Sequence, residues 1–322
     1  MSRLNFTLKD ISTYRSELMG WSILWIMMLH FTFNQIKPLG FISQYGFAGV
    51  DVFLFVSGFG LFYSLDKDDN LVSFYRKRLL RIFPTYYIIG FITNLLLTHD
   101  NILTFLFRYS TIGFWICREY AEWFIPSIIL LYFLAPFTKK LIDKKWFAFI
   151  CVIIACIYIS AYYFTDKEEV LDRSHFFILY RIPAFVFGMI CAYWLKNNMS
   201  SHYFLYILIL GIPFFIYFYP YHHQIYNFKY YSLGFLLPFF VIIFIILSKY
   251  IKWISSIVRK VGMASLEIYL IQGIFFSLVL DGATLAYPEW HDTLSILMII
   301  ISSFLGIATH WLIDKSGILK LL

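Results

Sequence analysis

Residues 17–35 read ELMGWSILWIMMLHFTFNQ, an apolar run interrupted near its far end by one imidazole, His30. A helical crossing of a bilayer takes about 20 apolar residues, so this run is the length of one crossing. Working outward, similar runs stand at 46–64, 82–98, 123–137, 146–164, 175–195, 203–219, 231–248, 263–280 and 293–313. The pattern predicts an all-α fold, a polytopic transmembrane helical bundle of about ten spans, as a single domain over 1–322. The longest non-apolar stretch, 99–122, contains LTFLFRYSTIGFW and offers an interfacial or re-entrant helix.

Composition agrees with the run pattern. The chain is 61% hydrophobic and 14% charged, whereas a soluble domain carries roughly 25% charged residues. The formal charge of +7 is no nucleic-acid footprint, because the cations sit between apolar runs and not along one stripe. They report topology. Of the 26 Lys and Arg residues, all but Lys37, Arg108, Arg118, Lys167, Arg173, Arg181 and Lys229 fall on one side if the N-terminus lies inside. The positive-inside rule then places both termini in the cytoplasm, in a multi-pass protein of the cell membrane. The first run has no small-residue cleavage site after it and reads as a retained anchor. Cys117, Cys151, Cys156 and Cys191 lack the paired spacing of a zinc site or a disulfide framework.

Ionisable groups at membrane depth are costly, and their default reading is functional. His30 lies roughly 20 Å along the first helix from Glu17 at 1.5 Å per residue. Asp51, in GFAGVDVFLFVSGFG, is about as far below the outer end of its own span, so the two are expected at similar depth. A carboxylate beside an imidazole fixes its tautomer and raises its basicity, as a general base for an alcohol requires. Gly46, Gly49, Ser57, Gly58 and Gly60 bracket Asp51, and such small residues admit either a neighbouring helix or a narrow ligand. In FYRKRLLRIFP, Arg76, Arg78 and Arg81 offer guanidinium forks for phosphate oxygens, or a topology signal resting on anionic lipid head groups. Glu122 and Trp123 open the fourth span, Arg181 lies within the sixth, and Glu267, Tyr269 and Gln272 lie within the ninth. His310 and Asp314 are four apart near the end of the last span, and solvated helix-end groups describe them better than a metal site. No metal is expected.

The anchors ELMGWSILWIMMLHF, GFAGVDVFLFVSGFGLFYS, FYRKRLLRIFPTYY, EWFIPSIILLYFLAPF, RIPAFVFGMICA and ASLEIYLIQG, in this order and spacing, resemble the membrane-bound acyltransferase 3 family, bacterial enzymes that move acyl groups from acyl-CoA onto extracytoplasmic sugars. The resemblance implies an acyl-CoA donor, acetyl-CoA by default, reaching the site from the cytoplasm, a bacterial cytoplasmic membrane location, and a catalytic histidine at His30; Asp51, expected at the same depth, is the candidate to orient it. Arg15, Arg76, Arg78, Arg81 and Ser57 are then candidates for holding acyl-CoA. Glu122, Trp123, Arg181, Glu267 and Tyr269 are candidates for the acceptor or the oxyanion. The acceptor would be an extracytoplasmic glycan or glycolipid, membrane lipid the surroundings, and a homo-oligomer is one open option. Two positions depart from the family pattern: Met19, where arginine is common and Arg15 stands one turn earlier, and Gln272, where histidine is more usual. A rival reading makes the chain a transporter or polysaccharide exporter, with His30 and Asp51 as a proton relay.

Overall fold

A computed structural model describes residues 6–33, 35–67, 70–117, 123–165, 178–218, 234–276 and 290–317. Among the described residues every element is a helix. In chain order they are α1 (Leu8–Thr13), α2 (Arg15–Phe31), α3 (Lys37–Ser43), α4 (Ala48–Lys67), α5 (Leu71–Thr93) continued by a π turn (Asn94–Thr98), α6 (Ile102–Tyr109), α7 (Ile112–Cys117) and α8 (Phe124–Asp143). There follow α9 (Phe147–Thr165), α10 (Ile182–Lys196), α11 (His202–Phe218), α12 (Leu237–Tyr250), α13 (Lys252–Met263), α14 (Ser265–Phe275) and α15 (His291–Lys315).

Among the described residues, four helices are long and apolar enough to cross a membrane: Ala48–Lys67, Leu71–Thr98, Phe124–Asp143 and His291–Lys315. Other apolar runs hold helices whose described parts are shorter, among them Ile182–Lys196, Leu237–Tyr250 and Ser265–Phe275. One reason is local. Pro183 and Pro238 sit at the first turn of α10 and α12, where a missing N–H costs nothing and the fixed φ starts a helix. Arg181 is therefore the N-cap residue of α10. Residues 175–177, 231–233 and 277–280 of the expected runs lie outside the described residues.

The chain divides into two units. Unit 1 comprises Met1–Leu18, Asp51–Leu71 and Ser127–Lys252. Here α4 and α10 touch backbone to backbone. A Cβ on Gly58 would strike the Phe185 carbonyl, and one on Gly188 the Phe55 carbonyl, so bare Cα atoms at both positions set the approach. At one end of this unit, Lys196 Nζ lies 2.6 Å from Asp66, and Lys139 Nζ lies 3.5 Å from Asp66 and 2.7 Å from Asp143. The Tyr63 hydroxyl donates to the Ala192 carbonyl at 3.3 Å. The C-terminal ends of α4, α8 and α10 thus gather, with lysines against the partial negative charge of the helix ends. The charge pattern had assigned these same ends to one side.

Unit 2 comprises Met19–Val50, Val72–Pro126 and Trp253–Leu322. α14 and α15 run antiparallel: Gly306 receives Ile268, and His310 Nδ1 lies 3.2 Å from Glu267. α5 ends in a knot. Asn94 Oδ1 accepts from the Thr98 hydroxyl at 2.6 Å and the Asp100 N–H at 2.9 Å, while Asn94 Nδ2 donates to the Asp100 carbonyl at 3.2 Å. His99 closes the helix in the left-handed conformation, φ 51°. Beyond it the chain forms α6 and α7, which expose Ile102, Leu103, Leu106, Ile112 and Ile116. Two short helices with apolar outer faces thus occupy the stretch for which the sequence offered an interfacial helix.

Candidate active site

His30 occupies the last turn of α2 and is half-buried. Its ring centroid is 6.3 Å from that of Phe276, and the imidazole interacts with the side chain of Gln272 on α14, which is 1% exposed. The Gln272 Oε1 has no hydrogen-bond partner among the described residues. An amide carries both a donor and an acceptor, so Gln272 can meet either tautomer of His30. It cannot take up a proton, which leaves the imidazole as the titrating member of the pair.

The chain just beyond His30 is pinned from α15. Ser295 Oγ donates to the Phe31 carbonyl at 2.6 Å. Asp292 Oδ2 accepts the Gln35 and Ile36 N–H groups at 2.9 and 2.7 Å, and its Oδ1 is 3.1 Å from His291 Nδ1. His291 Nε2 in turn lies 3.3 Å from Thr32 Oγ1, and Thr32 adopts φ 47°. The carboxylate is buried and satisfied by charge-assisted bonds, at the positive end of α15. Sequence reading singled out neither His291 nor Asp292; the signal was a His-Asp pair opening the last apolar run. Asp292→Ala is expected to lower stability by about 1–3 kcal/mol by removing the charged acceptor of two part-buried N–H groups, seen as a reduced thermal midpoint. Asp292→Asn keeps an acceptor oxygen and should lose less.

In unit 1, Asp51 stands in the first turn of α4 and Arg181 caps α10. Arg181 Nη1 donates to Asp51 Oδ2 at 2.5 Å, with both side chains almost fully enclosed. The guanidinium is placed against the positive end of α10, where a cation is unfavourable. The carboxylate offsets it. The sequence paired Asp51 with His30 by depth; within its own unit the aspartate is held by Arg181.

The family profile for the acyltransferase domain, acyltransferase 3, matches residues 18–314. The chain belongs to this acyltransferase family. The matched range takes in His30, Asp51, Arg181 and Gln272, and it runs through both units. Among curated proteins, the chain is similar to "Putative acetyltransferase ORF330" of Acidianus two-tailed virus, 26% identical over 197 residues, or 57% of this chain. The alignment spans 58% of that relative's length. No solved structure matches.

The remaining family-derived candidates are distributed as follows. Arg15 is exposed at the start of α2, and a Cβ on Gly60 would stand 2.7 Å from its Nη2; Ser57 is half-buried one turn earlier on α4. On α5, Arg76 and Arg81 are exposed, whereas the Arg78 guanidinium lies 5.7 Å over the Phe74 ring. Glu122 lies outside the described residues. Trp123 and Phe124 have ring centroids 6.0 Å apart, and Phe124 in turn is 5.3 Å from Tyr269, so the start of α8 meets α14. Glu267 is buried, with His310 on one oxygen and, among the described residues, no hydrogen-bond partner on Oε2. The family's arginine and histidine positions at Met19 and Gln272 are therefore filled by an apolar side chain and a neutral amide.

Proposed function

We propose that the chain is an integral-membrane O-acyltransferase that moves an acyl group, acetyl by default, from cytosolic acyl-CoA onto a hydroxyl of an extracytoplasmic glycan or glycolipid. The observation that carries the reading is the placement of His30: an imidazole in the last turn of an apolar helix, in contact with a buried neutral amide and anchored by the Asp292 clamp. In this reading His30 takes the proton of the acceptor hydroxyl as the oxygen attacks the thioester carbonyl. The C–S bond breaks and the proton ends on the CoA sulfur, so the reaction is balanced without a metal or redox partner. A general base of this kind contributes roughly 10²–10⁴ in rate.

Arg181, buried and paired with Asp51, is a candidate for the oxyanion, which an oriented cation in a water-poor environment stabilises. Asp51 acts by holding that guanidinium in place. Tyr269 and Ser57 remain candidates for contacts to substrate, and Arg15, Arg76, Arg78 and Arg81 for the phosphates of the donor. Arg76→Ala with Arg81→Ala is expected to raise KM for acetyl-CoA about ten-fold, since charge-assisted bonds contribute about 1.5–3 kcal/mol, with kcat nearly unchanged. Unchanged KM would remove these two residues from the donor site.

Purified protein in detergent, given acetyl-CoA and a panel of glycans, is expected to release free thiol in step with acetyl ester formation. A transporter or exporter would release none, and that result would sink the reading.

A further inference from the structure

We propose that α13 is a binding site for anionic phospholipid, lying flat in the headgroup layer with its outer face in contact with the leaflet. This inference is independent of the acyl-transfer reading. α13, KWISSIVRKVGM, has 12 residues, too few for a crossing, which takes about 20. It stands between two apolar helices, α12 and α14, and contains no acidic residue.

Its two faces differ sharply. Ser255, Val258, Val261 and Gly262 are buried. At this contact the Val258 carbonyl packs on the bare Cα of Gly20, where any side chain would collide with it. The opposite face exposes Trp253 at 70%, Ile257 at 56% and Met263 at 44%. Lys252, Arg259 and Lys260 are exposed as well, and they make no ion pair among the described residues. At 100° per residue, Trp253 and Ile257 fall within one narrow sector, Lys260 borders it, and Lys252 and Arg259 lie beyond. An apolar stripe with a tryptophan, on a helix whose charged residues are all cations, is the pattern of a helix seated in the interface.

The charge complementarity commits the occupant. A soluble anion would need the cations but not the exposed Trp253 and Ile257; a zwitterionic leaflet would need the apolar stripe but not three cations that make no ion pair among the described residues. Each Lys or Arg near an anionic leaflet is worth about a five-fold gain in affinity. Because α13 grips α2 at Gly20, lipid occupancy should also steady the helix that carries His30.

The full chain is reconstituted into vesicles of phosphatidylcholine alone or with one third phosphatidylglycerol, with either lipid brominated in its acyl chains. The difference in emission between the native chain and Trp253→Phe isolates the Trp253 signal. Brominated phosphatidylglycerol is expected to quench it several-fold more, per mole of lipid, than brominated phosphatidylcholine. The thermal midpoint should rise with phosphatidylglycerol. In Lys252→Gln/Arg259→Gln/Lys260→Gln, both preferences should vanish, while acetyl-CoA KM in phosphatidylcholine stays unchanged. Equal quenching by the two lipids overturns the proposal without need of any charge variant. So does loss of the thermal shift on adding millimolar glycerol phosphate, which would mark a soluble-anion site. A raised acetyl-CoA KM in the triple variant would instead assign the cations to the donor.

Discussion

His30→Gln is expected to leave the protein inserted and abundant while lowering acyl transfer on the order of 10²–10⁴-fold, the range for loss of a general base. The amide retains much of the imidazole's size and polarity, so the contacts with Gln272 and Phe276 have a substitute partner. What it lacks is basicity. The loss should therefore fall on kcat, with KM for acetyl-CoA little changed, measured as thiol release by purified protein. Gln272→Met in the same assay should cost less, about ten-fold, because it removes a polar neighbour of the base and not the base itself. Transfer at native rate in His30→Gln would rule out the proposed chemistry outright.

Arg181→Leu should destabilise the chain by about 3–5 kcal/mol, the cost of leaving one member of a buried pair uncompensated. Asp51 would then sit enclosed with its ionic partner gone. The double variant Asp51→Leu/Arg181→Leu should recover most of that loss, since a buried pair and an apolar pair of similar volume are often close in stability. Thermal midpoints in one detergent compare the three. Activity separates the roles: the double variant should be stable yet inactive if Arg181 steadies the oxyanion. Restored activity in it would reduce the pair to a packing element.

The helical fold was open to reading because its cause is local. Runs such as 46–64 and 293–313 contain enough consecutive apolar side chains for a crossing, and the structure has helices of crossing length there, Ala48–Lys67 and His291–Lys315. Helix starts at Pro183 and Pro238 depend on one residue's φ and missing N–H, and the first of them makes Arg181 the cap of α10. α13 falls between the apolar runs 231–248 and 263–280, because a run-length criterion does not register 12 residues whose apolar and cationic groups share one face.

The site divides along the same line. His30 stood out from sequence because an imidazole in an apolar run is costly wherever the helix packs, and its position follows from one helix. Its surroundings do not. Gln272 is 242 positions away in the chain, and Asp292 lies in another helix again. The pairing of Asp51 with Arg181, 130 positions apart, depends on the approach of α4 and α10 at Gly58 and Gly188. Composition and spacing thus settled that the chain is helical, apolar and a carrier of buried ionisable groups, since each of those follows from side-chain chemistry and nearest neighbours along the chain. Which group faces which was decided by close packing between distant helices, because hydrogen bonds and ion pairs act over a few ångströms and no pattern along one helix encodes them.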